Sequence, residues 1–379
     1  MFKTIAGRLR STYVRIRRNQ NKVKRYKNDI KVAKRILQDN PRLYGPVNNN
    51  YINEVQSYWE KHYGRRIDST WHVVFSKVTG NEDVRFIPSY VWLIDILPFF
   101  NNLSMRPTYK DKNLFDLFLD QPNMPKTIIK RIHGRYYNSN NILVENVEAE
   151  ELIRNSQLEM IIKPSQSNNG YMINFVKTAN KNILLNGKAI KFSDLETLYG
   201  QNFIIQDKIK QHNTLSQVHP CSVNTIRVRT FRWHNTIYNL PAYARFGING
   251  SLTDNMGTGG IGCGIDDYGV LDSSGVDVKG RIYYKHPTTG FDFDCKLTIP
   301  SYNLICKDAL KMHSKIPHFD IVSWDYTLNE HAEPIVLEMN FLGVSYVYQF
   351  ATRKPFFGDF TEAVLDLVRR SQFNERLPS

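Results

Sequence analysis

FDIVSWDYTLNEHAEPIVLEMN, residues Phe319 to Asn340, reads as a β-hairpin that carries acidic residues within its arms. In a strand successive side chains point to opposite faces. The first arm therefore sets Ile321, Ser323, Asp325 and Thr327 against Val322, Trp324, Tyr326 and Leu328. In the second arm Val336, Glu338 and Asn340 share a face. If the polar segment Asn329 to Pro334 is the turn, Leu328 pairs with Ile335, and counting back places Asp325 opposite Glu338. Two carboxylates facing each other across a strand pair, with β-carbons roughly 5 Å apart, repel. A positive charge is expected between them, and a hard divalent cation such as Mg²⁺ suits two carboxylates and the amide oxygen of Asn340. A solvated hairpin face is the alternative, but the apolar flanks Ile321, Val322, Ile335, Val336 and Leu337 mark a core hairpin whose acids need partners.

Upstream, SVNTIRVRTFR (Ser222 to Arg232) alternates so that Arg227 and Arg229 share a face with Val223. An arginine on a central strand is costly unless an anion meets it, and a triphosphate would serve. Tyr238 to Phe246 is a further strand presenting Arg245, and DNMGTGGIGCG (Asp254 to Gly264) is a glycine-rich loop that lets backbone approach a ligand. MIIKPSQSNNGYMINFV (Met160 to Val176) places Lys163 at a strand end before the polar loop Ser165 to Gly170, an arrangement that suits a nucleotide phosphate. A surface turn is the alternative there. FIIQDKI (Phe203 to Ile209) is a buried strand whose exit, at Gln206, Asp207 and Ile209, could offer amide groups to a base, with His212 just beyond. Asp111, Lys112 and Asn113 open a helix that buries Leu114, Phe115 and Phe118.

The chain has 379 residues, 41% hydrophobic and 12% aromatic, ample for two or three folded cores. Its cysteines, Cys221, Cys263, Cys295 and Cys306, show no close pair, so neither a zinc knuckle nor a disulfide framework is written in. The most apolar run, Phe86 to Leu103, is interrupted by Pro88, Asp95 and Pro98 and falls short of the ~20 residues of a membrane span. The basic N-terminus lacks the apolar segment of a signal peptide. Net charge is +14, and residues 1–39 hold thirteen Lys/Arg against Asp29 and Asp39, or +11 of it. Ile5, Leu9, Tyr13, Ile16, Val23, Tyr26, Ile30, Ala33 and Leu37 fall at helical spacing, which predicts a basic amphipathic helix. Such a helix can lie on an anionic membrane surface, bind another polyanion, or dock on its own domain. Nucleic acid is not expected, because no recognised module follows. The aromatic-rich stretch Tyr51 to Leu103 predicts a small domain, with Trp71 and His72 in its core. Leu304 to His313 and the segment from about Asp359 to Arg370 read as helices, with Asp359 as an N-cap.

Taken in order, DKN at 111–113, IIKPS at 161–165, QDKIKQH at 206–212, CSVNTIRVRT at 221–230, DNMGTGG at 254–260, SWDYTL from 323 and IVLEMN ending at 340 resemble the ATP-grasp superfamily. The closest similarity is to its sugar-transfer-associated branch. The resemblance spans roughly residues 105–350. It implies an α+β fold in which two subdomains grip ATP, with Mg²⁺ bridging its phosphates. Four segments are expected: a basic helical segment at 1–40, a small N-terminal domain at 41–105, the N-terminal ATP-grasp subdomain at 106–205 and the C-terminal subdomain with the metal site at 206–379.

By position the resemblance assigns Lys112 and Lys163 to the nucleotide phosphates and Ser165 to Gly170 to the covering loop, here poor in glycine. Gln206, Asp207 and Ile209 resemble the adenine hinge, with His212 at the ribose. Arg227 and Arg245 sit where related ligases place arginines on the transferring phosphate, and Asp325, Glu338 and Asn340 are similar to the metal ligands. Asn224, Asp254, Asn255, Gly259 and Gly260 are the expected substrate contacts. The implied chemistry is an ADP-forming ligation through an acyl phosphate, joining an amino acid or other carboxylic acid to an amine or hydroxyl of a sugar or glycan in surface-polysaccharide assembly. Two alternatives stay open: a kinase acting on a hydroxyl, and a membrane- or polyanion-binding adaptor with a degenerate nucleotide site. The expected location is cytoplasmic, either free or peripheral at the inner face of the membrane.

Overall fold

The computed structural model describes residues 2–119, 123–167 and 170–374, with side chains from residue 20 to residue 371. The chain forms two compact units. One comprises residues 1–100, 279–282 and 342–379, and the other residues 101–278 and 283–341. This grouping differs from the expected four segments, because residues 342–379 belong with the N-terminal region. The reason lies in side chains that the strand pattern does not reveal. Gln349 accepts from the Ile87 amide at 2.8 Å and donates to the Ile87 carbonyl at 2.9 Å, and Trp71 stacks on Tyr346 with ring centroids 4.8 Å apart.

The first unit is helical, with Trp59, Trp71, Phe75, Phe86 and Trp92 buried in its core, and His72 is buried there as expected. The helix Phe2–Gln38 is continuous in its backbone. Ile5, Leu9, Tyr13 and Ile16 lie outside the residues whose side chains are described. Its second half is docked on its own unit through Ile30, Ala33 and Ile36, all buried. Ile36 replaces the expected Leu37 as the buried anchor, while Val23 is exposed. Asp29 accepts from the Trp71 indole at 2.5 Å and from the Tyr90 amide at 2.9 Å, and Lys22 pairs with Asp95 at 3.0 Å. Lys24, Lys27, Lys31, Lys34 and Arg35 face outward. Among the described residues no helix is long and apolar enough to cross a membrane. The C-terminal helix begins at Thr361, and Asp359 lies in the 3-10 turn before it rather than at an N-cap. The exposed Asp359 carboxylate pairs instead with Arg85.

The second unit carries two sheets. The first contains β1 (Thr127–Ile132), β2 (Arg135–Asn138), β3 (Leu143–Val144), β4 (Met160–Pro164), β5 (Asn174–Ala179), β6 (Asn182–Leu185), β7 (Lys188–Ile190) and β8 (Phe203–Asp207). Their order is β3-β2-β1-β8-β4-β5-β6-β7, and every neighbouring pair is antiparallel. Its core unites Ile129, Ile162, Val176, Phe203 and Ile205 with Ile153 and Leu195 from the helices Asn146–Arg154 and Phe192–Tyr199.

The second sheet contains β9 (Thr225–Trp233), β10 (Thr236–Phe246), β11 (Ile261–Ile265), β12 (Leu271–Val276), β13 (Ile282–Tyr283), β14 (Ile321–Leu328) and β15 (Pro334–Asn340), in the order β13-β12-β11-β10-β9-β14-β15. One face packs on the helix Tyr302–Ser314, burying Ile226, Val228, Ala244, Trp324 and Tyr326 with Ile305, Ala309 and Met312. The opposite face takes every second residue of the same strands.

The hairpin of β14 and β15 pairs Asp325 with Glu338, as counted, but by a different route. Leu328 pairs with Pro334 rather than Ile335, and a bulge between Asp325 and Tyr326 restores the count. The extra residue reverses the facing of the strand's first half. Val336 consequently joins Tyr326 and Met339 in the core instead of sharing the face of Glu338 and Asn340.

Candidate functional site

The face of the second sheet turned away from its core concentrates charge because the strand register stacks it there. Asp325 of β14 lies opposite Arg227 of β9 on one side and Glu338 of β15 on the other. The next row pairs Ser323 with Arg229 and with Asn340. Arg245 of β10 stands opposite Thr225.

Those alignments put guanidinium groups on Asp325. Arg227 reaches it with Nε to Oδ1 at 2.6 Å and Nη2 to Oδ2 at 2.6 Å, the bidentate fork that suits a carboxylate. Arg245 adds Nη2 to Oδ2 at 3.1 Å, and the Asn340 amide donates to the same oxygen at 3.1 Å. Arg245 also pairs with Asp254 at 3.3 Å and donates to the Thr225 hydroxyl at 2.9 Å, while that hydroxyl donates to Asp254. Burial alone would raise the Asp325 carboxyl, but Arg227 and Arg245 hold it below the ordinary carboxylate range. For Asp254 burial wins over Arg245 and the carboxyl is pushed up.

The positive charge expected between Asp325 and Glu338 is thus supplied on each acid by a side chain. Glu338 takes the Lys112 ammonium at 3.2 Å. Lys112 sits in the 3-10 turn Lys112–Leu114, which Asp111 caps by accepting from the Asn113 amide at 3.0 Å. Its backbone amide donates to Ser165 at 2.9 Å and its ammonium to the Ser167 carbonyl at 3.0 Å, so one residue joins the polar loop to the hairpin. Lys163, near the end of β4, is buried, and its amine has no hydrogen-bond or ion-pair partner among the described residues. Burial, with the Lys112 ammonium beside it, holds that amine down at about 7 against the pull of Glu338.

Lys110 completes the cluster, and the sequence reading passed over it. It is buried, and its ammonium donates to the Gln166 carbonyl at 3.3 Å. Burial and the neighbouring Arg106 and Lys112 lower its pKa. The signal was present in the spacing of Arg106, Lys110 and Lys112, of which only Lys112 is singled out by the sequence motifs.

The loop after β4 approaches the second sheet. Gly170 has φ +69, and a β-carbon there would lie 2.3 Å from Cγ2 of Thr253, so only glycine fits. Asn168 and Asn169 lie outside the described residues. Ser165 is buried, and its hydroxyl has no hydrogen-bond partner among the described residues. In the glycine-rich loop Asn255 caps the turn Met256–Thr258 by accepting from the Gly257 amide at 3.0 Å, while its own amide nitrogen has no such partner. Gly259 has φ +110, and a β-carbon on Gly260 would come within 2.5 Å of the Asp254 carbonyl oxygen.

Other expected site residues are committed elsewhere. Asn224 is fully buried and its amide donates to the carbonyls of Leu215 at 3.0 Å and His219 at 2.7 Å, while its oxygen accepts from Ser222 at 2.7 Å. These bonds spend the side chain on shaping the turn before β9. At the end of β8, the buried Gln206 donates to the Pro125 carbonyl at 3.3 Å and the Thr127 hydroxyl at 3.4 Å. Asp207 has its carboxyl raised by burial, and Ile209 is half-buried in the segment that follows. His212 caps the short helix Asn213–Ser216 with Nδ1 accepting from Thr214 at 3.2 Å, and its amide donates to the end of β14 at 3.0 Å.

Two carboxylates and one amide oxygen on a single sheet face match the hard-oxygen chemistry of Mg²⁺. Among the described residues no group of three or more His, Cys, Asp or Glu could hold a metal, and the Asn340 side chain beside the two acids turns its amide nitrogen to Asp325.

A family model described as sugar-transfer associated ATP-grasp matches residues 94–362. No curated protein matches the chain. Among solved structures it is similar to D-alanyl-alanine synthetase A from Vibrio cholerae O1 biovar eltor str. N16961, at 9% identity and TM-score 0.40 over 70% of this chain and 66% of that one. It is also similar to an L-amino acid ligase from Bacillus licheniformis, at 12% identity and TM-score 0.37, covering 72% of this chain and 51% of the ligase. A third is the biotin carboxylase–β,γ-ATP complex from Campylobacter jejuni, at 12% identity and TM-score 0.42, covering 74% of this chain and 49% of the carboxylase.

Proposed function

Because the chain belongs to the sugar-transfer-associated ATP-grasp family, we propose that it is an ADP-forming carboxylate ligase acting on a sugar or glycan intermediate of surface polysaccharide. The observation that carries this reading is the convergence of Lys110, Lys112, Lys163, Arg227 and Arg245 on the acids of one sheet face. A carboxylate-lined site ringed by cations is built to hold a polyanion together with a divalent cation.

In the proposed reaction Lys112, Lys163 and the buried Lys110 take the triphosphate, with the hydroxyl of Ser165 and the Gly170 turn closing over it. The segment Gln206, Asp207 and Ile209 borders the adenine, mainly through backbone, and His212 the ribose. Glu338, Asn340 and Asp325 are the residues that would hold Mg²⁺, which when bound shields the phosphate oxygens. Arg227 and Arg245 stabilise charge on the transferring phosphoryl group.

The acid's carboxylate oxygen attacks the γ-phosphorus and the bond to the bridging oxygen breaks, giving an acyl phosphate and ADP. An amine or hydroxyl of the acceptor then attacks the acyl carbon, loses its proton to solvent and expels phosphate. Positioning and charge neutralisation supply much of the acceleration, which agrees with a site made of Lys, Arg, Asp, Glu and Asn. The acid is bound near Arg245, Asp254 and the Asn255–Gly260 loop. Outward lysines on the helix Phe2–Gln38 suit an anionic membrane surface where such acceptors are assembled.

Hydroxylamine trapping tests the proposal. Purified protein with ATP, Mg²⁺ and a panel of amino and other organic acids is expected to yield a hydroxamate and ADP from at least one acid, and Glu338→Ala to yield neither. A stable phosphorylated hydroxyl product with no hydroxamate would make the protein a kinase, and no ADP from any acid or sugar would leave it a binding protein.

A further inference from the structure

In the resting arrangement Arg227, Arg245 and Lys112 already pair with the acids of the site. Both oxygens of Asp325 are taken by Arg227 at 2.6 Å, with Arg245 at 3.1 Å, and Oε1 of Glu338 is taken by Lys112 at 3.2 Å. The acids held in this way are the oxygen donors a divalent cation would need. The cations holding them are the groups a triphosphate would need. The same charges can be satisfied in a second way, with metal on the acids and phosphate on the cations.

Neither ligand can reach that second arrangement cheaply by itself. A metal ion arriving alone must displace Lys112 from Glu338 and leave an ammonium whose side chain is only 9% exposed without its anion. A polyphosphate arriving alone must draw Lys112 away and leave the acid unpaired. Arriving together, each supplies the partner that the other removes.

We propose that metal and nucleotide bind this protein by partner exchange: Lys112 passes from Glu338 to phosphate as the metal takes its place, and the Arg227–Arg245 pair shifts from Asp325 toward phosphate in the same step. This rests on the reading of the site as a nucleotide site and adds to it a reason for interdependent binding. Such coupling is reciprocal, with each ligand tightening the other by the same factor. The Lys112 ammonium also donates to the Ser167 carbonyl at 3.0 Å, a contact that the exchange would have to keep or replace.

The competition can be read without turnover. Mn²⁺ binding to nucleotide-free protein, followed by electron paramagnetic resonance, is expected to be weak in the wild type. It should tighten roughly tenfold or more in Lys112→Met, because the internal competitor is gone. Metal-free tripolyphosphate should bind that variant more weakly than the wild type. Removing any nearby cation favours a metal through space, so Lys110→Met is the measure of that effect: its charge is felt by Glu338 without touching it. Lys112→Gln repeats the test should the methionine variant fold poorly. Mn²⁺ binding in the Lys112 variants that is no tighter than in Lys110→Met, or undetectable in all of them, overturns the exchange. Wild-type protein that binds no adenine nucleotide with Mg²⁺ present would instead defeat the nucleotide reading, whatever the metal comparison gives.

Discussion

Asp325 shows how far one residue's surroundings set its role. Its side chain is 4% exposed, and its carboxyl stays ionised because two guanidinium groups outweigh burial. Asp325→Asn keeps the shape and removes the charge, leaving Arg227 and Arg245 in a buried site with fewer anions. Breaking a buried pair from one side costs about 3 kcal/mol or more, and the loss should appear as a lower urea midpoint at pH 7. Because the folded pKa of this acid is depressed, its contribution is present at neutral pH and fades as pH falls through that value. Wild type and variant should therefore converge in stability toward acid pH. Asp325 was legible in the sequence as an acid needing a cation. Which cation it meets was not legible, because Arg227 is almost a hundred residues away and reaches Asp325 only through the pairing of β9 with β14.

At the scale of elements, the strands were readable and their local irregularities were not. Alternation marked β9, β10 and β14, but the bulge in the hairpin depends on how Val336 and Met339 both fit the core, a packing choice that alternation does not record. The N-terminal helix shows the same limit. Its period was plain, yet the face that docks is chosen by Ile30, Ala33, Ile36 and a buried acid, Asp29. Burial pushes the Asp29 carboxyl up to about 6, against the pull of its hydrogen bonds from Trp71 and Tyr90. A folded pKa above the unfolded one means that the folded state binds more protons, so this acid's effect on stability worsens as pH rises from about 4 through about 6. Asp29→Asn should remove that dependence. Its stability relative to wild type should improve by on the order of 2 kcal/mol between pH 4 and pH 8, measured by urea unfolding at both pH values. A constant difference across that range would show that the acid is not strained by its burial.

For the whole molecule, the docking of residues 22–38 changes how the basic N-terminus should be tested. Removing residues 1–39 would take Ile30 and Ile36 out of the core of the first unit, and full burial of each contributes about 2 kcal/mol. A truncation before Lys22 removes six of the basic residues and none of the docked ones. The shorter deletion is expected to keep the melting temperature near that of the full chain while weakening binding to anionic liposomes; the longer one should lower the melting temperature sharply. Equal liposome binding by the full chain and the shorter deletion would assign the basic segment to another role. The sequence by itself determined the strand that carries Asp325 and the strand that carries Glu338, because alternation is a local property, while the register that sets the two acids opposite each other rests on a bulge. Tertiary structure decided that residues 342–379 join the N-terminal unit, that Asn224 turns inward, that Lys110 is buried against the Gln166 carbonyl and that arginines cover Asp325. Those outcomes depend on which distant side chains share a buried, weakly screened space, where each charge must find an opposite one.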